Sequence, residues 1–510
     1  MPFPALLLVF VLPALGVPLA YLTGKKSPKY AAILVALIAL INIGLVASTI
    51  PEVMNNPAGR YVESYVWIPA LNSAFTLFTD GISVSIAIVS LILIFVAAVF
   101  SINYMEGKKN LPAYYALLSL LSIGLVGVFI TSSLLLFYFC WELMLVPAYF
   151  IVGSWGYRDS YKAAFKLFIF THAGAVFVLL GIGSIYMFTN PHTMDMFQVQ
   201  QALTTVAPDV VKWILLALTA GFAVKMAIVP LHMWLPDAHS EAPATMSALL
   251  SGVIISAGAY AILRLSLGTV FPALIGTPFA TDFLHGLAIF GVISAFFGSL
   301  IALVETDIKR IIAYSSIAHM GYVLFGLSLF PSSPVSGAIA VTTALSGTVL
   351  HILNHAVSKG LFFLSAGSVM HQTEERDIRR MGGLAGKMPV TAISSAIAAL
   401  SISGAPPFAC FISEFFIFVG AFEVINGDGF YLLPTALMLI ATVLSLGYSL
   451  RFISKVFLGQ AKNGEEKKVT DSAMYMKVAM VILVVLVILM GISFGPFGFL
   501  IDLINKVRFV

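Results

Sequence analysis

The fold is decided by a long apolar segment in which ionisable side chains recur at helical spacing. Residues 344–370 read ALSGTVLHILNHAVSKGLFFLSAGSVM, with His351, His355 and Lys359 at successive intervals of four. Residues four apart lie on the same face of an α-helix, so these three side chains form one polar stripe. The segment is longer than the ~20 residues that a helix needs to cross a bilayer. It predicts a membrane-spanning helix whose titratable face is turned away from lipid.

The composition of the whole chain agrees with this segment. Of the 510 residues, 60% are hydrophobic and 10% are charged, whereas a soluble domain carries about 25% charged residues. The net charge is only +4 and no basic stripe lies on a solvated face, which argues against a nucleic-acid partner. Cys140 and Cys410 both lie in apolar runs, so they predict neither a disulfide framework nor a metal centre or iron–sulfur cluster. We therefore expect a membrane protein with no metal or redox cofactor of its own.

Fourteen apolar runs are long enough to cross a membrane. Several exceed 25 residues, which predicts tilted, kinked or interrupted helices. The expected fold class is an all-α polytopic membrane protein. The predicted spans are residues 3–22, 29–50, 80–104, 111–130, 132–153, 160–188, 211–230, 244–270, 283–304, 310–330, 337–370, 390–421, 430–457 and 473–500.

The placement of lysine and arginine predicts the orientation, because cytoplasmic loops carry an excess of both. Loops after odd-numbered spans hold 20 of the 27 such residues, whereas loops after even-numbered spans hold Arg60, Lys212 and Arg264. Lys506 and Arg508 in the tail oppose the trend but are outnumbered. We expect the odd-numbered loops to be cytoplasmic and both termini to face the outside.

Several ionisable residues fall inside the predicted spans, where each charge costs about 2.5–3.5 kcal/mol on the lenient insertion scale. Glu142, Lys225, His319 and Glu414 lie in spans 5, 7, 10 and 12. A single buried histidine such as His172 is equally well explained as a polar group that joins two helices. The whole set, taken with the stripe of span 11, is typical of a hydrated proton relay, which needs titratable groups a hydrogen bond apart and shielded from lipid.

Two of these spans are predicted to be broken. Pro230 in span 7 and Pro406 and Pro407 in span 12 remove helical hydrogen bonds, and unwound backbone at membrane depth survives only inside protein or beside water. Such discontinuous helices mark binding sites in transporters with inverted repeats. Spans 7 and 12 are five apart, which predicts two inverted five-helix repeats. The expected divisions are 1–110 (spans 1–3), 111–270 (first repeat, spans 4–8), 271–457 (second repeat, spans 9–13) and 458–510 (span 14).

Five segments resemble the signatures of one known family over roughly residues 70–460. They are WELMLVP at 141–147, KMAIVPLHMWLPDAHSEAP at 225–243, DIKRIIAYSSIAHMG at 307–321, HAVSK at 355–359 and GAPPFACFISE at 404–414. The chain is similar to the antiporter-like proton-pumping subunits of respiratory complex I, which are shared with Mrp-type antiporters and membrane-bound hydrogenases. Glu414 at its position most resembles the chain-4 (M-type) subunit.

The resemblance implies fourteen helices, two inverted repeats and a central hydrated axis. It assigns Glu142 and Lys225 as an ion pair on the fifth and seventh helices and Glu414 as the acid of the twelfth. One departure affects the relay: Ser256 stands where the family commonly has a lysine in the eighth helix. A serine holds water but stores no charge. Either water bridges Lys225 to His319 or the relay is interrupted there.

The resemblance leaves three functions open. The chain is expected to pump protons as a subunit of a redox-driven complex of the NADH, reduced-cofactor or hydrogenase type, in a prokaryotic plasma membrane. Its partners would be other antiporter-like and small membrane subunits and a peripheral arm carrying iron–sulfur or other redox centres. The alternatives are an Mrp-type sodium/proton antiporter subunit without a redox partner and a non-pumping scaffold. Protons are favoured as the transported ion, with sodium left open. The sequence does not decide whether the chain counts as part of an enzyme.

Overall fold

The structure is a computed structural model that describes residues 4–331, 339–340, 342–460, 469–492 and 498–509. These residues are mostly helical. In chain order the α-helices are α1 Ala5–Lys26, α2 Pro28–Ala47, α3 Ile50–Asn55, α4 Gly81–Tyr104, α5 Leu111–Ile130, α6 Leu134–Leu143, α7 Leu145–Trp155, α8 Ser160–Phe188, α9 Met196–Leu203, α10 Pro208–Met226, α11 Leu235–Glu241, α12 Ala244–Leu249, α13 Ile255–Ala261, α14 Pro278–Val304, α15 Ile308–Ser328, α16 Thr343–Thr373, α17 Pro389–Ile402, α18 Ala409–Ile425, α19 Leu432–Phe457, α20 Met474–Gly491 and α21 Gly498–Asn505.

Short helical and extended elements complete the chain. Two π-helical segments flank α13, and four strands form two antiparallel pairs: β1 and β2 make a hairpin, and β3 pairs with the distant β4. The π segments are Leu250–Ile254 and Ile262–Val270; the 3₁₀ turns are Pro69–Leu71, Phe271–Leu274, Leu384–Gly386 and Gly429–Tyr431; the strands are β1 Arg60–Ile68, β2 Ser73–Asp80, β3 Ile339–Ala340 and β4 Arg508–Phe509.

The polytopic helical class is confirmed. Within the described ranges, eleven helices are long and apolar enough to cross a membrane. The other three predicted spans fall on α10, on α16 and on the pair α17 and α18. Charged residues in α10 and the polar stripe in α16 lower their apolar character, whereas the interruption leaves α17 and α18 with only 14 and 17 residues. The total of fourteen, the inverted repeats and the domain boundaries stay predictions.

A few details of the prediction lie outside the described residues. They are the starts of the first and eleventh predicted spans at residues 3 and 337, the part of span 14 at residues 493–497, and three lysines counted as cytoplasmic, Lys462, Lys467 and Lys468.

Both expected helix breaks are present. α10 ends at Met226, Ala227 adopts a left-handed φ of +59°, and the chain turns through Pro230 before α11. The second break separates α17 from α18 and contains Pro406 and Pro407. Gly404 within it has a φ of +68°, and a Cβ there would collide with the Glu414 carboxylate. Glycine is therefore required at this position both by the backbone and by the neighbouring acid.

The eleventh span forms the centre of the bundle. Every residue of α16 from Ala344 to Met370 is buried, and α15 is buried over almost its whole length. In contrast, the predicted spans that form α1, α2, α8, α19 and α20 are 33–39% buried, which is typical of outer helices facing lipid. The titratable stripe of α16 therefore lies in the interior, as its pattern predicts.

Three features were missed by the all-helical prediction. Strands β1 and β2 pair along their length. The fifth span is interrupted at Met144, between α6 and α7, two residues after Glu142. Two residues counted as loop cations are buried: Lys309 is 0% exposed, and Arg264 pairs at 2.7 Å with Asp80, which also caps α4. The lengths of apolar runs do not indicate an interruption at one residue or the contacts that bury a single cation.

A buried axis of ionisable side chains

The second half of the chain holds a continuous row of hydrogen bonds. His319 Nδ1 on α15 lies 3.1 Å from His351 Nε2 on α16, and His351 Nδ1 lies 3.0 Å from Ser413 Oγ on α18. Ser413 donates onward to the Cys410 carbonyl at 2.9 Å. All three polar side chains are 0% exposed. Neutral imidazole donates through one ring nitrogen and accepts through the other, so this row can pass a proton along its length.

The same row continues into α19, which the sequence analysis did not include. His319 Nε2 lies 3.4 Å from the Tyr448 hydroxyl, which is 2.8 Å from Ser445 Oγ. Ser445 donates to the Ile402 carbonyl at 3.1 Å. Ile402 is the last residue of α17, so its carbonyl is one of those released by the helix break. The three-residue spacing of Ser445 and Tyr448 on a helix was the only sequence signal for these partners.

Lys359 and His355 lie beside this row. The Lys359 ammonium donates to the Ser315 hydroxyl and, at 3.1 Å, to the Ile312 carbonyl. The His355 ring centroid is 5.6 Å from that of His319. Among the described residues neither ring nitrogen of His355 has a hydrogen-bond partner. A buried imidazole without a partner is costly, and water is the usual way to satisfy it.

Glu414 lies at the edge of the bundle rather than at its centre. It is 6% exposed and lines a cleft of about 510 Å³ with Ser403, Gly404 and Phe418. Its carboxylate and the nearest ring nitrogens of His319 and His351 all lie within 4.8 Å of one another. These three residues are close enough to hold a metal ion, but the two imidazoles already lie at hydrogen-bond distance from each other. Ring nitrogens at this distance can share or transfer a proton.

The first half of the chain is arranged differently, and the direct ion pair implied for it is wrong in this structure. Lys225 and Glu142 are both described, yet they form no ion pair within 4.0 Å. The Lys225 ammonium instead donates to the Trp141 carbonyl at 2.9 Å and lies 4.0 Å from the centre of its ring. Glu142 contacts His172 Nδ1 at 3.2 Å. The α6–α7 interruption turns the carboxylate toward α8.

This pair is also more exposed than the second half. The side chains of His172 and Glu142 are 49% and 24% exposed on the lateral surface of the chain. The other carboxylate oxygen of Glu142 is buried, with no hydrogen-bond partner in the described residues. Lys225, by contrast, is 2% exposed. Glu142 is thus poised between a surface histidine and the interior.

The eighth span separates the two halves, and among the described residues the side-chain hydrogen bond of Ser256 does not cross it. Its hydroxyl donates to the Gly252 carbonyl of its own helix at 2.9 Å. Ser251, one turn earlier, lies 2.8 Å from Ser316 on α15. Ser251 belongs to the π-helical segment Leu250–Ile254, and π segments often occur at functional sites. The polar link from this span to α15 therefore runs through a residue that sequence reasoning missed.

His239 on α11 is a second unpredicted member of the interior. It is 0% exposed, and neither ring nitrogen has a hydrogen-bond partner in the described chain. Its ring lies 5.2 Å from that of Phe363, one turn beyond Lys359 on α16. The charges of Lys309 and Lys359 both act on it. We use the term buried axis for Lys225, His239, Lys359, His355, His351, His319 and Glu414.

A layer of ion pairs fixes α11 at the end of the bundle that carries the odd-numbered loops. Arg376 pairs with Glu241 at 3.0 Å and with Asp307 at 2.6 Å. Arg310 and Lys166 pair with Asp237 at 2.9 and 2.7 Å. Burial lowers the pKa of Arg376, but Asp307 and Glu241 outweigh it and the pKa is raised. Most of these groups belong to the segments DAHSE at 237–241 and ETDIKR at 305–310. The ion pairs join the helix break, α15 and the loop after α16.

The chain is similar to known membrane proteins. The family described as NADH:quinone oxidoreductase/Mrp antiporter, transmembrane, matches residues 131–445. NADH-quinone oxidoreductase subunit M of Rickettsia conorii is 33% identical over 441 residues, 86% of this chain and 84% of the relative. The F(420)H(2) dehydrogenase subunit M of Methanosarcina mazei is 31% identical over 446 residues, 86% and 85% of the two chains.

A solved structure shares the whole fold. A chain of the membrane-bound sulfane sulfur reductase, an archaeal respiratory membrane complex, superposes with a TM-score of 0.83 at 23% identity. The match covers 98% of this chain and 96% of that one. At this identity the likeness concerns the fold alone.

Proposed function

This chain belongs to the NADH:quinone oxidoreductase/Mrp antiporter transmembrane family, and we propose that it translocates protons as one subunit of a redox-driven membrane complex. The observation that carries the proposal is the buried axis itself. Six of its seven members are 0–2% exposed: Lys225, His239, His319, His351, His355 and Lys359. Removing so many charged or chargeable groups from water is costly, and such groups in membrane proteins mark ion pathways.

The charge of Lys225 is controlled by Glu142. In the described arrangement Glu142 leans toward His172, and the ammonium is held by the Trp141 carbonyl and ring. A movement of the carboxylate toward Lys225 favours the charged ammonium, and its return to His172 favours release of the proton. One pKa unit corresponds to about 1.4 kcal/mol. Partial breaking of a buried pair is therefore enough to displace a proton.

The released proton passes into the second half. His239 and Lys359 receive it, His355 passes it to the neighbouring row, and His351 and His319 carry it to Glu414. Water bridges the eighth span near Ser251, because Ser256 bonds only to its own helix. Proton transfer is favoured over sodium by the imidazoles and amines along the route, which do not suit a hard cation that prefers oxygen ligands.

The driving energy comes from partner subunits. The described chain has no cluster of thiolates for an iron–sulfur centre, since Cys140 and Cys410 are separate and buried. Its relatives are named as subunits of NADH-quinone oxidoreductase and F(420)H(2) dehydrogenase. We propose other membrane subunits as neighbours on the lateral surfaces near Glu142 and Glu414, and a peripheral arm with redox centres beyond them. The complex lies in a prokaryotic plasma membrane, with the odd-numbered loops cytoplasmic and both termini outside.

The proposal is tested by Lys225→Ala in the purified complex reconstituted into vesicles. Proton movement, followed with a pH-sensitive dye, is expected to fall at least about tenfold relative to electron transfer, since a positioned acid–base group contributes about 10²–10⁴-fold. Lys212→Ala is the control, because Lys212 lies on the same helix but pairs with the exposed Asp209. Normal proton movement by the assembled Lys225→Ala complex contradicts the proposal.

The antiporter alternative is favoured by the second half of the family description. It predicts that the purified assembly lacks redox subunits and exchanges sodium for protons when only an ion gradient is imposed. Co-purification of iron–sulfur subunits and tight dependence of proton movement on electron transfer support the redox-driven complex instead. A scaffold predicts no effect of Lys225→Ala in either assay.

A further inference from the structure

A cleft of about 300 Å³ opens at the end of the bundle that carries the odd-numbered loops. It is lined by helix ends and the loops that follow them, and the lining includes Lys108, Arg158, His371 and Glu375. Exposed charges of both signs make it an aqueous cleft rather than a lipid-facing one. Neither the Glu142–Lys225 region nor the cleft beside Glu414 shares its lining residues.

Two tyrosines form the floor of this cleft. The hydroxyls of Tyr104 and Tyr157 lie 2.5 Å apart, and the Ala244 amide donates to Tyr104 at 3.1 Å. Both tyrosines also line the cleft. The Tyr157 amide donates to the Glu241 carbonyl at 2.8 Å, which fixes the floor to the end of α11. The floor therefore rests on the seventh-helix break.

Lys309 lies directly behind the floor. Its ammonium is 5.1 Å from the centre of the Tyr157 ring and donates to the Ala242 carbonyl. The residue is 0% exposed, whereas the side chain of Lys166 at the same end of the bundle is 34% exposed. Arg310 and Arg376, its cationic neighbours, each have carboxylate partners within 3.2 Å, but Lys309 forms no ion pair within 4.0 Å in the described chain.

On its other side Lys309 faces the buried axis. His239 is on α11, three residues before Ala242, whose carbonyl accepts from Lys309. The groups that act on Lys309 itself are Asp307 on its own element, Glu241 on α11 and Arg376 on the loop after α16. The order from solvent is thus cleft, tyrosine pair, Lys309, His239 and Lys359.

We propose that this cleft is the port through which protons from the adjoining aqueous phase load Lys309, and that Lys309 delivers them to His239 and so to the buried axis. The inference rests on the proton-translocating function proposed above. In each cycle the Lys309 ammonium gives one proton to the His239 imidazole and becomes a neutral amine. A hydronium ion from the cleft restores the ammonium past the Tyr104–Tyr157 pair. A lysine performs both steps, whereas an arginine stays charged.

The test uses two substitutions at this position in the reconstituted complex. Lys309→Arg keeps the charge and a donor for the Ala242 carbonyl, so it preserves a merely structural role, but it cannot release a proton. Proton movement relative to electron transfer is expected to fall at least about tenfold in both Lys309→Arg and Lys309→Met. Lys162→Met, on the same end of the bundle in an exposed pair with Asp159, is expected to pump normally. Normal pumping by Lys309→Arg overturns the proposal. This holds even if the Lys309→Met complex fails to assemble.

A second measurement leaves Lys309 untouched. Lys108→Cys places a thiol in the cleft, and a bulky maleimide on it obstructs the port; the native Cys140 and Cys410 are buried. Labelling is expected to reduce pumping at least about fivefold, since each obstructed proton step limits the whole relay. Labelling of the exposed Lys109→Cys in the same loop, outside the cleft lining, is expected to have no effect. Full pumping by labelled Lys108→Cys overturns the proposal whatever the Lys309 variants do.

The two proposals fail separately. If Lys225→Ala also pumps normally, the proton-translocating function is wrong. If Lys225→Ala stops pumping while Lys309→Arg and labelled Lys108→Cys pump fully, only the port is wrong.

Discussion

The two halves of the molecule hold their ionisable groups in opposite ways. In the first half, Glu142 and His172 lie at the lateral surface, and Lys225 is buried without touching either of them. In the second half, His319 and His351 share a row of hydrogen bonds that reaches α18 and α19. A proton can cross the second half by small shifts along this row. The first half must rearrange before it moves a charge.

The helix breaks explain the difference. At the break between α17 and α18, Ser445 donates to the released Ile402 carbonyl and also lies at hydrogen-bond distance from Tyr448 of the histidine row. The break after α10 is closed from outside, because α11 is held by ion pairs from Arg376 and Arg310. The break between α17 and α18 is therefore hydrogen-bonded to the histidine row, whereas the break after α10 is held by ion pairs to the loops. Movements of neighbouring subunits can therefore be transmitted through the loops to the break after α10.

The largest expected effect in the second half comes from Lys359→Met. It removes the ammonium bound by the Ile312 carbonyl, and with it a group that stores a proton between His239 and the histidine row. Pumping per electron transferred is expected to fall about 100-fold. The measurement is dye-reported proton uptake into vesicles, with the exposed loop variant Lys387→Met as control. Retained pumping would show that the histidines alone bridge the halves.

A smaller effect is expected from His351→Asn, which breaks the central link of the row. The asparagine amide keeps one contact but does not both accept and donate a mobile proton. Pumping is expected to fall about tenfold, with electron transfer preserved. His285→Asn is the matched control, because His285 pairs with Asp428 away from the axis. An equal loss in both variants would indicate general damage and contradict a continuous row.

His172→Gln sharpens the account of the first half. Glutamine keeps a donor for Glu142 but not the titration of an imidazole, and His172 is half exposed. We expect a loss of pumping of about two- to threefold, since partly exposed groups contribute weakly. Lys162→Gln, in the exposed pair with Asp159 on the same side of the chain, is the comparison. A loss as large as that of Lys225→Ala would mean that His172 is an obligatory carrier.

The smallest effects distinguish two serines of the eighth span. Ser251→Ala removes the link to Ser316 and is expected to reduce pumping about twofold, equivalent to roughly 0.4 kcal/mol. Ser256→Ala removes a bond within one helix and is expected to leave pumping unchanged. Vesicle assays of both variants at the same protein density decide the point. The reverse ranking would place the crossing at Ser256.

The sequence predicted most residues of the buried axis but not their hydrogen-bond partners. Lys225, His319 and Glu414 were identified because they are ionisable residues inside apolar runs. A charge in lipid is costly, so such residues mark functional sites. Proline positions predicted both breaks. The partners Tyr448, Ser251 and His239 were missed because serine and tyrosine are common in spans and α11 was assigned to an irregular stretch. The hairpin and the buried state of Lys309 and Arg264 depend on contacts between distant segments.

The missing ion pair between Glu142 and Lys225 shows the same limit. The resemblance supplied the two residues, but the side-chain direction depends on the interruption at Met144 and on His172 thirty positions away. Neither appears in the spacing of the two residues along the chain. Single-sequence patterns thus give the groups that titrate, whereas tertiary packing decides which of them touch.

The central claim is that water joins the two halves along the buried axis, and a map of the assembled complex that resolves ordered water tests it most directly. The account predicts water density at the ring nitrogens of His239 and His355 and between Lys225 and Lys359. Dry apolar packing between Lys225 and Lys359, with both imidazoles unhydrated, would contradict it.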